Sequence, residues 1–315
     1  MIRDQFFEFR SLSIVSVSIN SRLQENFQHY DGIFFPRDYE ILSAADQKQL
    51  WDKIGSTYYQ SQKAEEFSQD LLKTIDYQQI TGKIGGLWNR FPHDRHFETI
   101  LEIGCGYGRA SINLSKEKNL SCSQYYGIDI SEPLLRRLLY FKQAYDFYPS
   151  ATFNLICNSA ETLPLANDSA DLIISNAVLM HIEQEKVEAL LLEAARVLKP
   201  GGAFVFNNSF HNRSCPGHIL RNLSRKVFPF GANSIYLNQQ TSEEVESLLK
   251  NAGIAKKCSK IVVEPNPHYV LLPEELGRFK VPLANEINRS LKPSAAQKAT
   301  LAYSFNAYSA GVLDT

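Results

Sequence analysis

From about residue 97 onward, short apolar runs alternate with amphipathic stretches, the pattern of strands each followed by a helix. Thr99–Ile103 is an apolar run that ends at a glycine cluster, and residues 109–118 have helical character. Tyr125–Ile130 predicts a second strand, followed by a helix carrying Leu134, Leu135, Leu138 and Leu139. Phe153–Cys157 and Asp171–Ser175 predict the third and fourth strands. Gln184–Leu198 is an amphipathic helix stopped by Pro200-Gly201-Gly202, and Ala203–Asn207 predicts a fifth strand. Thr241 with Glu244 three residues on has the form of a capping box and opens a helix that ends at Gly253. Two more strands are expected at 258–264 and 268–272. Alternating strands and helices imply a mostly parallel sheet covered on both faces, with ligands beyond the carboxyl ends of the strands.

The first 95 residues have a weaker pattern. Leu12, Ile14, Val17 and Ile19 suggest a short strand, while 44–55 and 62–75 read as helices of mixed polarity. Gly82, Gly85, Gly86 and Pro92 then mark a linker. The expected organisation is an N-terminal extension over 1–95 that covers the ligand site, a core over 96–272 and a C-terminal extension over 273–315. An insertion at 208–240 interrupts the core. No apolar run approaches the roughly 20 residues that span a bilayer. The apolar segment 11–19 follows Asp4 and Glu8 and precedes no small-residue cleavage site, which argues against a signal peptide. A net charge of −1 gives no global basic field for nucleic acid. Five scattered cysteines, Cys105, Cys122, Cys157, Cys215 and Cys258, read as reduced thiols and point to the cytoplasm.

The chemistry begins at Glu102-Ile103-Gly104-Cys105-Gly106-Tyr107-Gly108, where a strand enters a G-x-G-x-G turn. Glycine permits positive-φ backbone and lets a ligand approach closely, and the following helix turns its positive end toward the same place. By itself such a turn is often only a turn. Asp129 ends the next strand, where a carboxylate can accept from both hydroxyls of a ribose; an Asp there is also a common helix cap.

In combination these residues resemble the class I S-adenosylmethionine-dependent methyltransferase superfamily, from about Thr99 to Phe206 and more weakly to about 272. The turn with its preceding Glu102 and the acid Asp129 are similar to the family's donor-binding motifs. Ala160-Glu161-Thr162-Leu163-Pro164 looks like its adenine-side loop, Asp171–Asn176 like its fourth strand, and Leu198-Lys199-Pro200-Gly201-Gly202 like the turn before its fifth. Ser159 departs from the family, which often has Asp there; a hydroxyl accepts without charge. The resemblance implies a Rossmann-like, seven-stranded, mostly parallel sheet with helices on both faces, S-adenosylmethionine as cofactor and a small-molecule acceptor. It implies Gly104, Cys105, Gly106 and Gly108 as the floor under the methionine moiety, with Glu102 holding the turn or the amino group. Asp129 would hold the ribose with Ile130 beside the adenine; Ser159, Ala160 and Glu161 would line the adenine edge, and Asn176 would lie beneath the reacting sulfonium.

His181, after the fourth strand, is the candidate general base, although a His opening a helix is often a packing residue. In Trp51-x-x-x-Gly55-x-x-Tyr58-Tyr59 the pattern is similar to the family's aromatic cover, with Tyr59 facing the cofactor. The 208–240 insertion contains His211, Arg213, His218, Arg221, Arg225 and Lys226 and no Asp or Glu. It therefore suggests an acidic acceptor with an apolar portion, or simply a solvated basic face. His211, Cys215 and His218 lack a fourth ligand, and His93-x-x-His96 stands alone, so no metal site is expected. Two rivals remain: a donor-binding subunit without transferase activity, and a nicotinamide oxidoreductase, against which the G-x-G-x-G spacing counts.

Overall fold

The computed structural model describes residues 21–40, 46–60, 91–213, 238–265, 302–309 and 312–313. Their elements run α1 (Ser21–Asn26), β1 (Phe27–Tyr30), β2 (Ile33–Pro36), α2 (Asp46–Gln60), β3 (His96–Ile103), α3 (Arg109–Glu117), β4 (Ser121–Asp129) and α4 (Glu132–Tyr145). Then follow β5 (Thr152–Cys157), β6 (Ala170–Asn176), α5 (Gln184–Val197), β7 (Leu198–Asn212), β8 (Gln239–Gln240), α6 (Ser242–Asn251), β9 (Lys260–Pro265) and β10 (Ala302–Tyr308).

These strands join in one sheet in the order β1, β2, β5, β4, β3, β6, β7, β10, β9, with β8 pairing on β7. Neighbouring strands from β2 to β7 pair in parallel, and β1, β9 and β10 pair antiparallel. Parallel strands covered by helices are apolar on both faces, which is why Ile100, Leu101 and Ile103 of β3 are all fully buried. One core, around Leu101, Ile173 and Phe204, packs against α5 and α6; the other, around Ile100, Tyr125 and Leu172, packs against α3 and α4. From β3 the chain winds outward through β4 and β5, and from β6 it winds the other way to β7. The reversal opens a crevice at the carboxyl ends of β3 and β6.

Six of the expected strands are present as β3, β4, β5, β6, β7 and β9; β10 makes the run from β5 to β9 seven strands, and the N-terminal region adds a hairpin beyond β5. The extension is thus not purely helical. Asp31 and Gly32 both have positive φ, +47 and +82, and close a tight turn between β1 and β2. All four residues of β2 are buried, and it pairs with β5 through Ile33 and Phe34. The core boundary at 272 is corrected as well: β10 lies in the region expected to be an extension, yet it sits between β7 and β9. Phe305 of β10 stacks on Phe204 and Phe206 of β7, with ring centroids 5.7 and 5.1 Å away. The strand expected at 268–272 and that suggested at Leu12–Ile19 lie outside the described residues.

Candidate active site

The glycine turn closes β3 against β4: the amides of Gly104 and Cys105 both donate to the carbonyl of Ile128, at 2.7 and 3.1 Å. Its three glycines have positive φ, +64, +52 and +87, for different reasons. A Cβ on Gly104 would lie 2.2 Å from Val178, and one on Gly108 would lie 2.2 Å from Leu138. A Cβ on Gly106 would meet no atom within 4 Å, because it would project into a cavity of about 390 Å³. Gly108 caps α3 and does not line that cavity, which corrects its expected place in the floor.

Two buried acids brace the turn. Glu102 accepts from the Tyr125 hydroxyl at 2.7 Å and from the Ser111 hydroxyl, so it ties β4 and α3 to β3. Burial pushes its carboxyl up to about 7, against the two hydrogen bonds that lower it. Asp129 accepts from the Gly106 and Ser131 amides, one on each oxygen and both at 2.8 Å. Burial raises its carboxyl to about 6, again against these bonds. Each oxygen keeps a lone pair for a further donor.

The walls bring together most of the residues expected at the site. Ile130, Ser159, Ala160, Glu161, Asn176 and His181 line the same cavity as Glu102, Gly104, Cys105 and Gly106. The Ser159–Glu161 loop is held from behind by α5: Glu193 accepts from the Leu163 amide, and Arg196 donates to the carbonyls of Leu163 and Leu165. Asn176 accepts from the Asn207 amide group at 2.9 Å, which fixes its carbonyl oxygen toward β7. His181 ends a short 3₁₀ turn, and its ring lies 5.4 Å from the Trp51 indole.

Trp51 comes from α2, which lines the cavity also with Gln47 and Gly55. Close approach at Gly55 makes this possible, since a Cβ there would stand 3.2 Å from both Leu134 and Ser131. Sequence reasoning missed Gln47 and Leu134, whose positions depend on that helix contact. The side chains of Tyr58 and Tyr59 lie outside the described residues, as does 214–237 of the insertion with His218, Arg221 and Arg225. Arg213, expected to face an acceptor, instead pairs with Glu244 of α6 at 2.9 Å. That Glu also closes the capping box with Thr241.

Among the described residues no group of three or more His, Cys, Asp and Glu could hold a metal, and no helix is long and apolar enough to cross a membrane. The residues present do fit an adenosyl donor. The cavity has the size of a small-molecule site, Gly106 leaves its floor open, and Asp129 stands at the end of the second strand of the crevice.

A methyltransferase domain family matches residues 101–206, the stretch from β3 into β7. The chain is 26% identical over 199 residues to the sarcosine/dimethylglycine N-methyltransferase of Aphanothece halophytica, covering 60% of this chain and 69% of that one. It is 30% identical over 115 residues to phosphoethanolamine N-methyltransferase 1 of Triticum aestivum, covering 36% of this chain but only 22% of that enzyme's length. In fold it is similar to a chain in the complex of the Haloferax volcanii Trm112 methyltransferase activator with a methyltransferase. That likeness has a TM-score of 0.51 and 17% identity, and it covers 87% of this chain and 100% of the other.

Proposed function

Residues 101–206 are a class I S-adenosylmethionine-dependent methyltransferase domain, and from that premise we propose that the protein transfers a methyl group from S-adenosylmethionine to a small-molecule acceptor. The observation that carries this is the convergence of open Gly106 and buried Asp129 on one cavity at the carboxyl ends of β3 and β4. S-adenosylmethionine supplies there a methyl group on a positively charged sulfur, already activated for displacement. The chain's task is orientation, worth up to about 7–11 kcal/mol of such a barrier. Asp129 would accept from the ribose hydroxyls, the Ser159–Glu161 loop would border the adenine, and Asn176 would border the reacting end. Trp51, which also lines the cavity, would help keep water from the donor.

His181, which lines the cavity between the β6 turn and Trp51, would be the titratable group on the acceptor side. It would take a proton from an acceptor that must lose one. An acceptor with an acidic part is supported by the composition of 208–240, which contains no Asp or Glu.

Calorimetry with S-adenosylmethionine and S-adenosylhomocysteine tests the reading. Wild type is expected to bind both, and Asp129→Ala to lose at least about tenfold in affinity, or 1.4 kcal/mol. A folded wild type that binds neither overturns it. His181→Ala should then lower turnover and leave that affinity unchanged; unaltered turnover removes His181 from the chemistry.

A further inference from the structure

His181 stands on a 3₁₀ turn of three residues, Leu179–His181. Two bonds hold the turn internally, from the His181 amide to the Val178 carbonyl at 2.9 Å and from the Ile182 amide to the Leu179 carbonyl at 3.2 Å. A turn of this kind has poor hydrogen-bond geometry, so its place depends on what grips it from outside. Asn238, buried at the return end of the 208–240 insertion, grips it on both sides of His181. The Asn238 backbone amide donates to the Met180 carbonyl at 2.7 Å. Its side-chain amide donates to the Ile182 carbonyl at 3.1 Å and to Gln184 Oε1 at 3.3 Å. Its own carbonyl accepts from the His211 amide at 3.0 Å, and its Oδ1 accepts from Gln240 at 2.8 Å. These last two bonds fix Asn238 to β7 and β8, and a buried network satisfied in this way is rigid. Packing alone does not call for an amide here, and an ionised aspartate would have no donor for the Ile182 carbonyl.

We infer that Asn238 is a positioning residue: it sets where the His181 ring stands in the cavity wall, and it does so from the insertion rather than from the strand that precedes the turn. The inference rests on the proposed place of His181 on the acceptor side. Asn238 does not line the cavity itself and acts only through the turn. On the far side of His181 the α2 residue Trp51 offers a gauge of that position, with its indole 5.4 Å from the imidazole ring.

A protonated imidazole in contact with an indole quenches its fluorescence. Trp51 and Trp88 are the two tryptophans of the chain, so emission is followed in a Trp88→Phe background from about pH 8 to about pH 5, the range in which imidazole charges. Emission should fall in one step, and His181→Ala should abolish that step. Asn238→Ala and Asn238→Asp should each reduce it by half or more, with S-adenosylhomocysteine affinity kept within about twofold. Thr241→Ala, which removes the nearby cap of α6, should lower the melting temperature by a few degrees and leave the step whole. A full step in either folded Asn238 variant, no His181-dependent step in the parent, or an equal loss in Thr241→Ala overturns the inference. So does a chain that cannot fold with either Asn238 variant, since Asn238 would then serve stability alone. Failure of the parent to bind S-adenosylhomocysteine is a separate result: it removes the methyl-transfer reading while the optical step still reports where His181 stands.

Discussion

Gly106 and Gly108 are two residues apart in one turn and respond to different neighbours. Both have positive φ, which costs an alanine about 1–2 kcal/mol. At Gly108 a methyl group would also collide with Leu138, adding about 1–3 kcal/mol of overpacking. At Gly106 the methyl would enter open cavity. Gly106→Ala should therefore lower the melting temperature by only a few degrees and weaken S-adenosylhomocysteine binding by about tenfold or more. Gly108→Ala should lose roughly twice the stability while its folded fraction still binds. Thermal melts and calorimetry on the pair measure both effects; equal melting temperatures would contradict this division of labour. The turn is legible in sequence because only glycine tolerates it, whereas the reason for each glycine lies in Val178 and Leu138, far along the chain.

Legibility differs from element to element for the same kind of reason. The strands β3 to β7 stand out because burial on both faces demands unbroken apolar runs. The start of α6 stands out because its capping box is entirely local, with both bonds formed between Thr241 and Glu244. The β1–β2 hairpin has exposed Gln28, His29 and Tyr30 on one side and a four-residue apolar run on the other. Its readable signal was the Asp31-Gly32 pair. In β10 the buried Asn306 interrupts the apolar pattern, and Phe305 finds its stacking partners about a hundred residues earlier, in β7. The site divides in the same way. Residues after the strand ends follow from chain order, so Asp129, Asn176 and His181 could be found from the sequence. Gln47, Leu134 and the Glu193–Arg196 brace depend on how helices dock, which no local pattern records.

At the scale of the whole molecule, the sheet keeps two carboxyl groups at its centre, and folding is thereby linked to pH. Glu102 faces Ser111, Tyr125, Asp129 and Arg109; Asp129 faces the Lys48–Asp52 pair of α2. Burial raises Glu102 to about 7 and Asp129 to about 6, so between their unfolded values and these the native state binds more protons than the unfolded chain. The stability they contribute is complete below about pH 4 and is lost as pH rises toward 7. Glu132, lowered by Arg136 and Tyr39, acts in the opposite sense, so the effect is best isolated by difference. Glu102→Gln can still accept from Tyr125 and Ser111 but does not titrate. The stability of wild type relative to this variant, from urea melts, should fall by about 3 kcal/mol between pH 4.5 and 7.5. Donor binding should run the other way, because an ionised Asp129 accepts from both ribose hydroxyls more strongly than a protonated one: affinity for S-adenosylhomocysteine should drop as pH falls through about 6. A stability difference that is flat with pH would mean that Glu102 is ionised in the native core. Its partners Tyr125 and Ser111 would then outweigh the cost of its burial.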